Sequence, residues 1–181
     1  MKPSDKYIFT LLDKKVHNRA AFLCGIETLD NYLHRAANQN AKLDLGRPFV
    51  MTQVGNDSQI IGYYSLSNYM IGITDLPERF KKGLPNKRPI GATLLGMMAL
   101  DEAFQGKGLG TLLFFDALYR ALRLNDQGSA SFAVVIDALN EDAKAFYEHY
   151  DAVAFADNDA KLFITMKKIR EIFTQVGLYP L

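Results

Sequence analysis

Apolar and polar positions recur along this chain with two different periods, and the switches between them mark out its elements. Tyr7–Leu12 is a short run of β-favouring residues and predicts a first strand. Leu29, Tyr32, Leu33, Ala36 and Ala37 fall at i, i+3, i+4, i+7 and i+8, the stripe of an amphipathic helix running to about Leu43. Thr28 is its expected N-cap, with Asp30 in the first turn. Pro48–Val54 and Gln59–Tyr64 flank Gly55-Asn56-Asp57-Ser58 and predict a hairpin whose second strand continues through Ser65 to Ile73. Thr74–Pro89 reads as a long, locally basic loop. Ala92–Leu100 is an almost unbroken apolar run of strand length, with Gly96 marking a bulge or a close backbone approach. Leu109, Leu112, Leu113, Ala117, Leu118 and Ala121 line one face of a helix over Gly108–Leu124. Phe132–Ile136 predicts a buried strand, Asn140–Tyr150 a short helix capped by Asn140, Lys161–Met166 a last strand and Lys167–Val176 a terminal helix closed by Gly177. A hairpin followed by crossover units implies a mixed sheet in an α+β, or α/β layered, domain.

Composition changes this picture little. Of 181 residues 49% are apolar and 23% charged, and the formal net charge is +1. That excludes a disordered chain and a protein that is basic throughout, so any nucleic-acid contact must come from a local patch. Cys24 is the only cysteine, which excludes an intrachain disulfide, and with three scattered histidines no zinc cluster or other metal site is expected. No apolar run approaches the ~20 residues of a membrane span, and the first residues, Met1–Lys6, lack a signal-peptide core. A cytoplasmic protein is expected, a single domain over 1–181 with 167–181 as a C-terminal extension.

Chemistry concentrates in Leu94–Leu113. A buried strand ends at Asp101, and Gln105-Gly106-Lys107-Gly108-Leu109-Gly110-Thr111 leads directly into a helix. Glycines permit a sharp turn and close approach of a ligand, and the free N–H groups of a helix start attract phosphate. Lys107 adds a positive charge inside the turn. The segment reads as a diphosphate cradle; a glycine-rich connector without a ligand is the plain alternative. The dinucleotide fingerprint fails because Thr111 stands where its third glycine would be, and the Walker A pattern is absent. Asn140 and Tyr147, seven residues apart, lie on roughly the same helical face.

Gln105-x-x-Gly108-x-Gly110 and the later Asn140-x-x-Ala143-x-x-x-Tyr147 resemble, in order and separation, the two motifs of the GNAT family of N-acetyltransferases. Phe22-Leu23-Cys24-Gly25, Leu29-x-x-Tyr32-Leu33-x-x-x-Ala37-x-Gln39-Asn40 and Gly62-Tyr63-Tyr64-Ser65-Leu66 are similar to segments of a GNAT subgroup, the toxins of bacterial toxin–antitoxin modules. The resemblance covers about residues 7–166. Two departures stand out. Met97 occupies a position where the subgroup often has arginine, and Tyr150-Asp151-Ala152 replaces a segment where a glycine often follows the tyrosine-bearing helix.

The resemblance implies a mostly antiparallel mixed central sheet flanked by helices, and acetyl-CoA as cofactor. It implies cofactor contacts from Met98, Ala99, Leu100, Gln105, Gly106, Lys107, Gly108, Leu109, Gly110, Thr111 and Asn140. It further implies acetylation of the α-amine of aminoacyl-tRNA, which stops translation, and a small ribbon-helix-helix antitoxin as partner. Acetylation of a small amine or a protein N-terminus is the alternative; a catalytically dead binding module is a third. In the acetylation reading a backbone N–H near Met98–Leu100 steadies the oxyanion, and Tyr147, a phenol of ordinary pKa near 10, protonates the leaving thiolate. Asp101, Glu102, Glu141 and His149 lie near the motifs but read as solvated surface residues, not as a base. An aminoacyl ester amine, less basic than the usual α-amine of pKa ~7.7–8.0, needs little help from one. Arg79, Lys81, Lys82, Lys87 and Arg88 are the candidate tRNA contacts, with Lys14, Lys15 and Arg19 as possible additions; the alternative is a solvated loop. His17 and His34 are expected to be structural or at the surface, and Cys24 a small packed residue. The apolar stripe Ile169, Ile172, Phe173, Val176 is a candidate homodimer interface.

Overall fold

A computed structural model describes residues 6–85 and 88–179. Its strands form a seven-stranded sheet in the order β1-β2-β3-β4-β5-β7-β6. These are β1 (Tyr7–Leu11), β2 (Arg47–Gln53), β3 (Gly62–Ile71), β4 (Ile90–Leu100), β5 (Ala133–Asp137), β6 (Val153–Ala154) and β7 (Lys161–Thr165). β4 and β5 run parallel, whereas β1–β2, β2–β3, β5–β7 and β6–β7 are antiparallel. The expected mixed, mostly antiparallel sheet is therefore present. The chain divides into two compact units, one built from residues up to Ser67 with Gly96–Ala117, the other from Asn68–Leu95 with residues from Leu118 onward.

The first unit buries Phe22, Cys24, Leu29, Leu33, Ala37, Val50, Ile60, Tyr63 and Ala99 in one cluster, with Leu12, Tyr32 and Met97 packed against it. α1 (Glu27–Asn31) and α2 (Ala37–Lys42) are joined by a π-helical turn over Tyr32–Ala36, in which the Ala37 N–H reaches back to the Tyr32 carbonyl. Arg19 caps carbonyls of this turn from outside the helix. Its Nη1 reaches the His34 carbonyl at 3.0 Å and the Leu33 carbonyl at 3.4 Å. Thr28 is not the cap. Ile26 holds the N-cap position, and the buried Asp30 carboxylate instead reaches back to accept the Cys24 N–H at 2.8 Å. The hairpin register runs from Arg47↔Leu66 to Met51↔Gly62. The second strand thus begins at Gly62, not Gln59, because Gln53 and Asn56 bridge within the turn while Ile60 and Ile61 are already buried.

The second unit buries Ile71, Leu76, Ala92, Ala133, Val135, Phe155 and Phe163. β4 and β5 pair from Thr93↔Val134 to Leu95↔Ile136. α3 (Glu78–Lys81) is the helical turn inside the basic loop, fixed by Phe80 packing edge-on to Phe163 at 4.9 Å. α5 (Glu141–His149) begins at the expected Asn140 cap, and α6 (Met166–Gln175) closes the unit. Two-residue β6 is too short to leave a periodic signal. In α6, Ile169 and Phe173 are buried, Phe173 against Tyr119 at 5.4 Å, so these two residues cover this chain's own core and not a dimer contact. α4 (Leu109–Asp126) contributes residues to both units. Among the described residues no buried side-chain polar atom lacks a partner, no helix is long and apolar enough to cross a membrane, and no group of residues is arranged to hold a metal.

Candidate active site

The cradle belongs to the first unit. β4 ends at Leu100, and Asp101 turns the chain by accepting the Ala103 N–H at 3.1 Å while its own N–H donates to the Ile61 carbonyl at 2.9 Å. A short 3-10 turn, Glu102–Phe104, follows. Gly106 and Gly108 then both adopt left-handed backbone, at φ 72° and 73°, on either side of Lys107. Alternation of this kind turns successive N–H groups toward one side and makes an anion-binding concavity. α4 starts at once behind it, so its first free N–H groups and the positive end of its dipole face the same loop. A Cβ placed on either glycine would meet nothing within 4 Å. The space in front of this backbone is open, and the loop fits a diphosphate.

The cradle is braced from behind by Phe22–Gly25. The Leu23 N–H donates to the second Asp101 carboxylate oxygen at 3.1 Å, and the Leu23 carbonyl accepts from the Glu102 N–H at 2.8 Å. Gly25 adopts φ 84° and lies so close to Glu102 that a Cβ would sit 2.6 Å from its Oε1. Gln105 completes the brace: its Nε2 donates to the Cys24 carbonyl at 3.1 Å and to the Leu100 carbonyl at 3.0 Å. Its side-chain amide therefore holds the loop. Lys107 folds back, its Nζ 2.5 Å from the Ala103 carbonyl and 5.3 Å from the Phe104 ring centre. Sequence reasoning could not have found these roles, because the partners lie far away or on the backbone.

The remaining donor-strand residues are equally constrained. Ala99 is buried, and Gly62 on β3 lies so near it that a Cβ would come 3.0 Å from the Ala99 carbonyl and 2.7 Å from a Leu100 methyl. Leu109 is buried, whereas Met98, Gly110 and Thr111 are half-buried. Met97 packs on the apolar cluster that contains Tyr63, an environment that would exact a desolvation cost from an arginine. Tyr63, fully buried, donates from its hydroxyl to the Leu29 carbonyl at 2.7 Å, and burial pushes its pKa up. Tyr64 donates to the Asp116 carboxylate on α4. Cys24 is no nucleophile: burial and the Asp30 carboxylate push its thiol up to about 12.

Tyr147 and Asn140 belong to the second unit. The Asn140 side-chain oxygen accepts the Ala143 N–H at 2.8 Å, which starts α5 and fixes the pitch on which Tyr147 stands. Tyr147 is 6% exposed, with Phe146 edge-on at 5.2 Å, and burial raises its phenol above the ordinary value of 10. It is thus fully protonated across the neutral range. Of the possible bases, Asp101 is occupied by two backbone N–H groups and His149 packs against Tyr150. In the basic loop, the Arg79 guanidinium lies 5.0 Å over the Phe80 ring and Lys81 pairs with Glu78 at 2.7 Å. Lys82 and Arg88 are exposed, and Lys87 falls outside the described residues.

A strand end that turns into a left-handed glycine cradle ahead of a long helix is matched by kinship. The model of the Acetyltransferase (GNAT) family matches residues 20–151. A probable toxin TacT of Sinorhizobium fredii is 32% identical over 174 residues, which is 92% of this chain and 95% of that protein. A tRNA-acetylating toxin of Mycobacterium tuberculosis is 31% identical over 152 residues, 84% of this chain and 88% of the other. A solved structure of a mutant of the toxin AtaT, bound to the C-terminus of the antitoxin AtaR and acetyl-CoA, superposes with a TM-score of 0.80 at 22% identity, covering 94% of this chain and all 100% of that one. The cradle, the order of the motifs and the extent of these matches agree, and the chain belongs to the acetyltransferase (GNAT) family.

Proposed function

We propose that this protein is an acetyl-CoA-dependent N-acetyltransferase that acetylates the α-amine of aminoacyl-tRNA, and that it acts in the cytoplasm as the toxin of a toxin–antitoxin pair. The observation that carries the donor is the open cradle at Gly106 and Gly108 ahead of α4. The acceptor is supported by the relative that acetylates tRNA, similar over most of both chains. Bound acetyl-CoA supplies an activated acetyl thioester. The N–H groups of Gly106–Thr111 hold the diphosphate, with Lys107 adding positive charge, while Met98, Ala99 and Leu100 offer backbone to the thioester arm. Asn140 sets α5, and Tyr147 donates its phenolic proton to the departing sulfur. Burial keeps the phenol protonated until it donates.

Asp101 beside the cradle already accepts two backbone N–H groups, and an aminoacyl ester amine needs little help from a base, because much of it is neutral near pH 7. A lysine acceptor, with pKa ~10.4, would require one. Arg79, Lys81, Lys82, Lys87 and Arg88 supply charge for the tRNA, and a small ribbon-helix-helix antitoxin is the expected protein partner.

A second reading, acetylation of a small amine or a protein N-terminus, is favoured by Met97, whose apolar packing removes one positive contact expected near an RNA acceptor. One assay separates them. Labelled acetyl-CoA is offered with a pool of charged tRNAs, and in parallel with free amino acids and small amines. Label on aminoacyl-tRNA, lost in Tyr147→Phe, is expected; label on small amines alone would replace the first reading with the second.

A further inference from the structure

A hollow of about 390 Å³ opens on the first unit, away from the glycine cradle in sequence, and is lined chiefly by Lys14, Lys15, His17, Asn18, Arg19 and His34. We infer that it is a phosphate subsite for the RNA backbone of the acceptor, an inference that rests on the aminoacyl-tRNA reading. Several features of its construction support this.

The floor is rigid. His17 is buried and accepts the Asp13 N–H on Nδ1 at 2.8 Å. His34 Nε2 bonds the Phe22 carbonyl at 2.8 Å, and Arg19 holds the carbonyls of the π turn. A guanidinium carries five donors, so Arg19 keeps several for a ligand after serving both carbonyls through Nη1.

The rim is charged and uncommitted. Lys14, Lys15 and Asn18 are exposed, and among the described residues neither lysine takes an ion pair. Asp13 accepts the Lys15 N–H at 2.8 Å, and Asp13 and Asp57 line a neighbouring hollow with Ile8, Thr10 and Leu11, which shares Val16 and His17 with the first.

The backbone donors of the segment are already taken. The N–H groups of Lys15, Val16, His17, Asn18 and Arg19 all donate within the protein, to Asp13, Ser58 and His17 acceptors. A ligand on the rim is therefore held mainly by exposed side chains, chiefly the two lysines. That suits a phosphodiester, which offers charge without sequence information, better than a base edge.

Position supports the same occupant. Arg19 lies four residues before Leu23, whose N–H and carbonyl are bonded to Asp101 and Glu102 at the end of β4. Four residues span at most ~14 Å, so Arg19, on the floor of the hollow, lies within that reach of Leu23, which is bonded to the strand end where the cradle begins. An RNA whose 3′ end is presented at the cradle must bring phosphates into this range.

The test is the Lys14→Gln/Lys15→Gln double variant. Binding of an uncharged tRNA mixture is followed by fluorescence anisotropy across a salt series, beside acetyl transfer to charged tRNA. Weaker tRNA binding by about tenfold, a salt slope shallower by about 0.7–0.9 per lost contact, and an unchanged KM for acetyl-CoA are expected. Equal tRNA affinity and slope in both proteins would overturn the inference while leaving the acetyltransferase reading standing. A rise in the KM for acetyl-CoA, with tRNA binding unchanged, would overturn it by assigning the hollow to the donor. Salt-sensitive tRNA binding that weakens in the variant, without acetyl transfer to tRNA in the wild type, would keep the hollow and remove the aminoacyl-tRNA reading instead.

Discussion

The side-chain amide of Gln105 donates to the carbonyl of Cys24 across 3.1 Å, a contact between residues 81 positions apart in the chain. With its second bond to the Leu100 carbonyl, it ties the brace, the strand end and the cradle together. Gln105→Ala removes both bonds and is expected to destabilise the protein by about 1–2 kcal/mol. The KM for acetyl-CoA should rise while kcat changes less. Gln105→Glu should be worse, since it sets a carboxylate against two carbonyl oxygens. Thermal melts and steady-state kinetics on both variants check this.

Gly108→Ala places a side chain at φ 73°, which costs about 1–2 kcal/mol, although no atom obstructs it. The added methyl also fills the open face of the cradle. Calorimetric titration should show acetyl-CoA binding weakened by about tenfold or more, or about 1.4 kcal/mol. Gly55→Ala is the control. It has φ 84° and equally open space, so it should lose comparable stability and retain binding.

Tyr147→Phe removes one oxygen from a buried ring whose packing otherwise persists. A loss of about 10²–10⁴ in kcat is expected for a lost general acid, with the affinity for acetyl-CoA retained. Because burial holds the phenol above its ordinary value, the wild-type rate should show no alkaline fall attributable to Tyr147 below about pH 10. Its rise from acid pH should instead follow the acceptor amine. A pH–rate profile with aminoacyl-tRNA tests both arms.

His17 makes folding pH-dependent. Burial lowers its folded pKa, against the opposing pull of the Asp13 and Asp57 carboxylates. Below about 6.5 the unfolded chain then binds a proton that the folded state resists, and the stabilisation is fully present only above that value. Protonation at Nδ1 would also break the bond from the Asp13 N–H. The urea midpoint should therefore fall from about pH 7.5 to about pH 5.5, with a slope from this one group of at most about 1.4 kcal/mol per pH unit. The fall should be shallower in His17→Gln.

Asp151 stands at φ 65°, the left-handed conformation that glycine adopts most readily, and its carboxylate pairs with Lys168 at 3.1 Å. Asp151→Ala keeps the strained backbone and drops the pair, and should lower Tm by about 2–4 °C, the effect of about 1 kcal/mol in a chain of this size. Asp151→Gly trades the pair for an unstrained turn and should melt close to the wild type.

Much of the fold was legible because its local rules were obeyed. Asn140 caps the helix its sequence announces, and Gly106 and Gly108 make the sharp turn that glycine permits. What escaped prediction depends on distant partners. The stripe Leu29–Leu33–Ala37 looks the same whether the helix is α throughout or contains a π turn, because Arg19, which sustains the turn, lies outside it. The apolar face of α6 reads alike whether it covers a partner or, as Ile169 and Phe173 do, its own core. Thr28 lost the capping position to Ile26 because Asp30 makes the stabilising bond from inside the helix. The cradle was readable as a motif, but the bracing role of Gln105 was not, since nothing near it in sequence points to Cys24.

The π turn at Tyr32–Ala36 makes the basic hollow sensitive to chain length. Such a turn holds one residue more than an α turn, so its geometry depends on the exact number of residues between Leu29 and Ala37. Deleting one residue there would restore α geometry and rotate Ala37 and everything after it by about 100° relative to Leu29. The Leu33 and His34 carbonyls would turn with it, away from Arg19. A chain shortened by one residue in this stretch should therefore loosen Arg19 and with it part of the floor of the basic hollow.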